Sequence, residues 1–265
     1  MRRLEILLIV AIFPILLMAD SVKDLEKNLL SCKREGGRVC MKMGLAYENG
    51  DGVEQSVEKA LKFYEQACLK SEKLGCFKMG ELFYSQRDYE KAVFYFEKAC
   101  TPILPQGCYI AGAIYEDDSK RVHDVKKSIK LYKMACKASL APGCGRLGNI
   151  YYKGFGVMRN MDFAKRYFKK GCRGDDLNSC LLLGNIYLEM DNRQKSALEA
   201  LKYFDYACSR KEGLACMQIG NMYLKGEGVQ RNMKKSLRYF HKSCNTGFAL
   251  GCEAEDGLKS NIKRR

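Results

Sequence analysis

Fourteen cysteines set the register of this 265-residue chain. They fall at Cys32 and Cys40, Cys68 and Cys76, Cys100 and Cys108, Cys136 and Cys144, Cys172 and Cys180, Cys208 and Cys216, and Cys244 and Cys252. Seven residues separate the members of each pair, so C-x7-C occurs seven times and no cysteine is left over. First members recur every 36 residues, with one interval of 32 between Cys68 and Cys100. Self-similarity at a period of this size predicts an array of repeats. Zinc sites use more closely spaced cysteine pairs and redox dithiols use C-x-x-C, so neither chemistry fits the spacing. An even count at one repeated spacing predicts seven structural disulfides, each joining the first to the second member of its pair. Closing loops this short stabilises by roughly 2–3 kcal/mol per bridge on the chain-entropy account.

The columns around the cysteines predict two helices per repeat. Four residues after each second cysteine stand Gly44, Gly80, Gly112, Gly148, Gly184 and Gly220, and seven after it stand Tyr47, Phe83, Tyr115, Tyr151, Tyr187 and Tyr223. Offsets zero, four and seven share one side of an α-helix, the first helix of the unit. A glycine within a helix costs about 1 kcal/mol relative to Ala, so its recurrence points to close approach of a second helix. Turns of the form G-x-G-V follow at Gly50–Val53, Gly154–Val157 and Gly226–Val229. With no strand before them they read as helix–helix turns, not phosphate loops. The second helix carries Ala60, Ala92, Ser128, Ala164, Ala200 and Ser236 eight residues before each first cysteine. Four residues before it stand Tyr64, Phe96, Tyr132, Phe168, Phe204 and Phe240, which completes one apolar stripe between charged residues.

This pattern predicts an all-α fold, a right-handed α-solenoid of disulfide-stapled helical hairpins with a concave and a convex face. Six αα repeats are expected at 40–75, 76–107, 108–143, 144–179, 180–215 and 216–251, between an N-terminal capping helix at 20–39 and a C-terminal capping helix with a basic tail at 252–265. The unit at 76–107 is four residues short at the turn Tyr84–Asp88, and Pro102 and Pro105 are expected in the loop that follows.

Arg2 and Arg3 precede an apolar run from Ile6 to Leu17 and then Ala19, which is the anatomy of a signal peptide over residues 1–19. The run is shorter than the ~20 residues of a spanning helix, so no membrane span is expected after its removal. A secreted or periplasmic monomer is therefore expected. The formal net charge of +15 arises from 46 Lys and Arg against 31 Asp and Glu. Export and the lack of a recognition motif argue against nucleic acid as the partner, leaving attraction to anionic surfaces. The two histidines, His123 and His241, leave little room for His-based metal sites, and no metal or cofactor is expected.

The 36-residue unit with L/M-G-x-x-Y, G-x-G-V and A-x-x-Y/F-x-x-A-C resembles the Sel1-like repeats, relatives of the tetratricopeptide repeat. With its seven C-x7-C pairs the chain is similar, over residues 24–256, to the Helicobacter cysteine-rich proteins. That resemblance implies an α-solenoid, penicillin binding with weak β-lactamase activity, and a role in host interaction. Tested on the residues, the hydrolase reading finds S-x-x-K at Ser56–Lys59 and Ser260–Lys263, but neither S-D-N nor K-T-G. Ser56 is expected to cap the second helix of its unit, and no catalytic residue can be assigned.

A binding face is easier to place. Offset five of the first helix holds Asn149, Asn185 and Asn221 in three successive units, with Tyr152, Leu181, Leu188, Met217 and Leu224 around them. A carboxamide both donates and accepts, so it can pair with a peptide backbone in either sense. In one reading these residues line a concave groove for a peptide, a peptidoglycan-type fragment or a host protein, with β-lactams possible ligands. In the other, the apolar members pack on the neighbouring unit and the chain is a non-enzymatic interaction scaffold.

Overall fold

A computed structural model describes residues 27–189 and 194–263. The expected signal peptide, the start of the N-terminal cap, the interior of the turn between Glu189 and Gln194 and the last two residues lie outside the described residues. Two compact units divide the chain, Met1–Asp124 and Val125–Arg265. In the first, a helical stretch at 27–35 is followed by α1 (Gly37–Asn49), α2 (Val57–Leu69), α3 (Lys73–Ser85), α4 (Tyr89–Ala99) and α5 (Pro105–Glu116). The second contains α6 (Val125–Lys137), α7 (Ala141–Lys153), α8 (Met161–Arg173), α9 (Leu177–Glu189), α10 (Gln194–Ser209), α11 (Gly213–Lys225), α12 (Met233–Asn245) and α13 (Ala249–Lys263). Among the described residues there is no strand, and the architecture is an all-α solenoid of hairpins.

Local chemistry sets the helix limits. Second helices start at side-chain caps: Ser56 Oγ accepts from Lys59 N at 3.3 Å, Asp88 Oδ1 from Lys91 N at 3.1 Å, Asn160 Oδ1 from Phe163 N at 3.0 Å, and Asn232 Oδ1 from Lys235 N at 2.9 Å. First helices α1, α7 and α11 end at Gly50, Gly154 and Gly226, whose φ of 81°, 76° and 80° only glycine adopts at no cost. Pro105 does not lie in a loop. It occupies the first turn of α5, where its missing N–H would have no helical partner anyway.

In the hairpins α1–α2, α3–α4, α7–α8, α9–α10 and α11–α12 an aromatic ring of the second helix covers the mid-helix glycine of the first. A Cβ on Gly148, Gly184 or Gly220 would lie 2.5 Å from a ring carbon of Phe168, Phe204 or Phe240 respectively, and on Gly80 it would lie 2.7 Å from Phe96. One position earlier on the second helix, a further ring stacks on the offset-seven aromatic. Tyr47–Phe63, Phe83–Tyr95, Tyr151–Tyr167, Tyr187–Tyr203 and Tyr223–Tyr239 have centroids 5.4, 5.4, 5.6, 5.7 and 5.8 Å apart and nearly parallel planes. Such pairs add about 0.5–1.5 kcal/mol each beyond their buried area.

The buried arc of the first helices is wider than offsets zero, four and seven. Leu147, Leu183 and Ile219 at offset three and Ile150, Ile186 and Met222 at offset six are almost wholly buried. Leu183 and Ile186 pack on Ala164 and Phe168 of the preceding hairpin, so a first helix is covered by two second helices rather than one.

All fourteen cysteines are paired, Cys32–Cys40, Cys68–Cys76, Cys100–Cys108, Cys136–Cys144, Cys172–Cys180, Cys208–Cys216 and Cys244–Cys252. Each bridge ties the end of one second helix to the start of the next first helix. Beside the bridges the helices cross on small residues: a Cβ on Gly75 would lie 2.6 Å from that of Ala67, and one on Gly143 would lie 2.8 Å from that of Ala135. Where the earlier member is Gly171, the later one is the larger, fully buried Ser179.

Candidate functional site

The first helices present different chemistry in the two units. In the first unit the outer positions of α1 and α3 carry acids that are satisfied internally. Lys78 Nζ lies 3.3 Å from Glu48 Oε1 and 3.2 Å from Glu81 Oε2, and the Tyr64 hydroxyl donates to Glu48. Burial, the hydrogen bond to Glu48 and the charge of Glu48 push the Tyr64 phenol far above its ordinary value. Burial alone would lower Lys78, but its hydrogen bonds and charge interactions with Glu81 and Glu48 outweigh that and hold the ammonium above its usual range.

In the second unit the corresponding positions carry amides and apolar side chains. Asn149 on α7, Asn185 on α9 and Asn221 on α11 are all half-buried, and none of the three side chains makes a hydrogen bond to another group among the described residues. Tyr152 beside Asn149 is held from both sides: its hydroxyl donates to Glu189 at 3.2 Å, and the Arg159 guanidinium lies 5.7 Å from its ring centre. Burial and the charge of Glu189 raise its pKa. Leu188 and Leu224 are half-buried. Leu188 packs against the core between hairpins, and Leu181, expected to be left open, is 6% exposed and inside that core. The reason is that offset one of α9 faces its own second helix and the next hairpin: Leu181 shares its cluster with Ala200, Phe204 and Ala207 of α10 and with Ile219 and Met222 of α11.

An open cavity of ≈550 Å³ lies at the end of this row. Asn221 and Leu224 of α11, Met233 and Phe240 of α12, and Leu258 and Asn261 of α13 form its wall. Arg231 stands at its edge and is fixed by donating from Nε to Leu224 O at 3.0 Å. The cavity therefore combines an apolar floor with two carboxamides. Asn261 belongs to the same site and went unnoticed in the sequence, because α13 lacks the glycine at offset four that marks the register elsewhere.

Beside this end, His241 of α12 joins a polar cluster. Its Nδ1 lies 3.0 Å from Glu255 Oε1, and Lys259 Nζ lies 2.5 Å from the same oxygen. The Lys259 hydrogen bond, then that of His241, hold the buried Glu255 carboxylate below its ordinary 4.5. His123 lies in the first unit, on the exposed turn before α6. The S-x-x-K residues have structural partners: Ser56 caps α2, Lys59 Nζ lies 5.5 Å from the centre of the Tyr47 ring, and Ser260 Oγ donates to Asp256 O at 2.9 Å. Among the described residues no group of three or more His, Cys, Asp or Glu could hold a metal, and no helix is long and apolar enough to cross a membrane.

Comparison with known proteins bears on the fold. The chain is similar to c5321, a protective antigen of uropathogenic Escherichia coli displaying an SLR fold, with 22% identity and a TM-score of 0.72 over 86% of this chain and 50% of that one. It is also similar to a Sel1 repeat protein from Oxalobacter formigenes, with 22% identity and a TM-score of 0.68 over 84% of this chain and 66% of that one. The chain thus spans half to two-thirds of these two structures. Helicobacter pylori cysteine rich protein B is 33% identical over 51% of this chain and all of that one, with a TM-score of 0.39. No curated protein matches the chain. The family model described as "Sel1 repeat" matches residues 38–71, 73–101, 105–140, 141–176 and 213–248, and with the hairpins and columns above it shows that the chain belongs to the Sel1 repeat family.

Proposed function

We propose that this protein is an exported interaction scaffold that holds an extended peptide along the first helices of its second unit. The observation that carries the reading is the row of three half-buried carboxamides whose hydrogen-bonding capacity is unspent among the described residues, ending in the ≈550 Å³ cavity. A half-buried amide that pairs with no protein group can exchange its water for a ligand backbone, a net gain of about 1 kcal/mol per hydrogen bond. The apolar floor of Leu224, Met233, Phe240 and Leu258 favours a peptide carrying apolar side chains over a peptidoglycan-type sugar chain. Seven disulfides support export, since such bridges persist in oxidising compartments. In this reading the chain carries six repeats from 40 to 251, and the protein acts as a monomer.

Selection of peptides from a random library on the oxidised protein tests the proposal. Asn185→Ala and Asn221→Ala should each weaken a selected peptide by about 1–2 kcal/mol, roughly five- to thirtyfold, with the melting temperature nearly unchanged. Lower stability with unaltered affinity would show the row to be structural.

A further inference from the structure

The second helices of the second unit carry a different feature. α6 holds Lys126, Lys127, Lys130, Lys133 and Lys137 and no acid, and α8 holds Lys165, Arg166, Lys169, Lys170 and Arg173. The one acidic residue of these two helices, Asp162, is 2.9 Å from Lys165 in the first turn of α8, away from the C-terminal ends. At those ends a cleft of ≈340 Å³ lies between the helices, lined by Lys133, Cys136, Lys137, Arg166, Tyr167 and Lys170. No acidic residue lines it.

Cations near a helix C-terminus are favoured by the backbone dipole, and that explains two of the four: Lys137 lies in the last turn of α6, and Lys170, in the last turn of α8, donates from Nζ to Cys136 O at 3.4 Å. It does not explain why Lys133 and Arg166, further from the helix ends, face the same cleft, where like charges repel. The walls are also fixed. Cys136 is buried and bridged to Cys144, and the Tyr167 ring is stacked 5.6 Å from that of Tyr151. A guanidinium fork, three ammonium groups and a phenol on rigid walls are the donor set of an oxyanion site, and the volume is at the small end of ligand clefts, about 300 Å³. We propose that the cleft between α6 and α8 binds a phosphate or sulfate monoester, independently of the peptide row on the first helices.

Titration of the oxidised protein with glucose 1-phosphate, inorganic sulfate and glucose, followed by calorimetry and by amide shifts, tests this. The two anions should bind with Kd in the millimolar range or tighter, glucose should not bind, and the shifts should map to Lys133–Lys137 and Arg166–Lys170. The exposed pairs Arg166→Gln with Lys170→Gln, and Lys133→Gln with Lys137→Gln on the other helix, should each weaken glucose 1-phosphate at least tenfold, the loss of about one charge-assisted hydrogen bond. Lys234→Gln with Lys235→Gln on α12 removes the same charge elsewhere and should leave the affinity within about twofold. Vesicles of phosphatidylcholine with and without phosphatidic acid identify the source: capture that depends on Arg166 assigns a lipid phosphate, and binding of the soluble esters alone assigns a free one. Equal loss in all three double variants, or no binding of either anion, would overturn the proposal.

Discussion

Glycine in a helix interior is a defect unless something occupies the space of its missing side chain, and two glycines of the second unit separate these cases. Gly184 in α9 and Gly257 in α13 both sit within helices, so replacement by Ala gains about 1 kcal/mol of helix propensity at either. Their surroundings differ. A Cβ at Gly257 meets nothing within 4 Å. At Gly184 it would lie 2.5 Å from Phe204 Cε1 and 2.8 Å from Cδ1 and Cζ, and Phe204 is itself fully buried. Normal contact needs the ring to retreat by about 1 Å in a close-packed interior, an overpacking cost of about 1–3 kcal/mol. Gly257→Ala should therefore stabilise by about 0.5–1 kcal/mol, and Gly184→Ala should destabilise by up to about 2 kcal/mol. Thermal melts by far-UV circular dichroism would show shifts of opposite sign, a few degrees each. Phe204→Leu, damaging alone, should cost less in the Gly184→Ala background, since the smaller side chain vacates the contested space. A stabilising Gly184→Ala would refute the claim that the aromatic column dictates the glycine column.

Three further outcomes are expected. Ser56→Ala should cost about 1 kcal/mol as a lost N-cap while leaving any nitrocefin turnover of the pure protein unchanged, whereas abolished turnover would make Ser56 a nucleophile. Stepwise reduction should destabilise by roughly 2–3 kcal/mol per opened bridge, with native-state hydrogen exchange fastest in the short 76–107 repeat; best protection there would contradict this. Because Glu255 is held below its ordinary 4.5, its contribution is present above that pH and is lost as pH falls through the lower folded value. Glu255→Gln should accordingly be less stable than the parent near pH 7, and the gap should close as pH falls through the lowered folded value; a gap constant with pH would show that the carboxylate charge is not used.

Much of this fold is legible in the sequence because its determinants are local and repeated. A cysteine pair eight residues apart spans one turn, so its partner needs no knowledge of the rest of the chain. Glycine at offset four and an aromatic four residues before the first cysteine report one contact from both sides. What the columns do not reveal is how far burial spreads between hairpins. Leu181 reads as an open groove residue when one hairpin is considered, and the first helix of the next hairpin, α11, helps to bury it. The stacked partners Tyr167, Tyr203 and Tyr239 are hidden for a similar reason, since they neighbour the stronger column at Phe168, Phe204 and Phe240. Of the candidate site, the row Asn149, Asn185 and Asn221 shows through repetition, whereas Asn261 and the cationic cleft arise from packing that no single repeat encodes.

The bridges join neighbouring hairpins rather than the two helices of one hairpin, and this makes the length of the array editable. Excising one whole period, residues 144–179, would leave Cys136 facing Cys180 across a seven-residue gap, with the same flanking columns on either side. Duplicating a period would likewise add one cysteine pair and orphan none. Sulfur pairing, helix register and glycine–aromatic matching therefore survive gain or loss of a module together, so a lineage can change how much surface it displays without relearning how to fold.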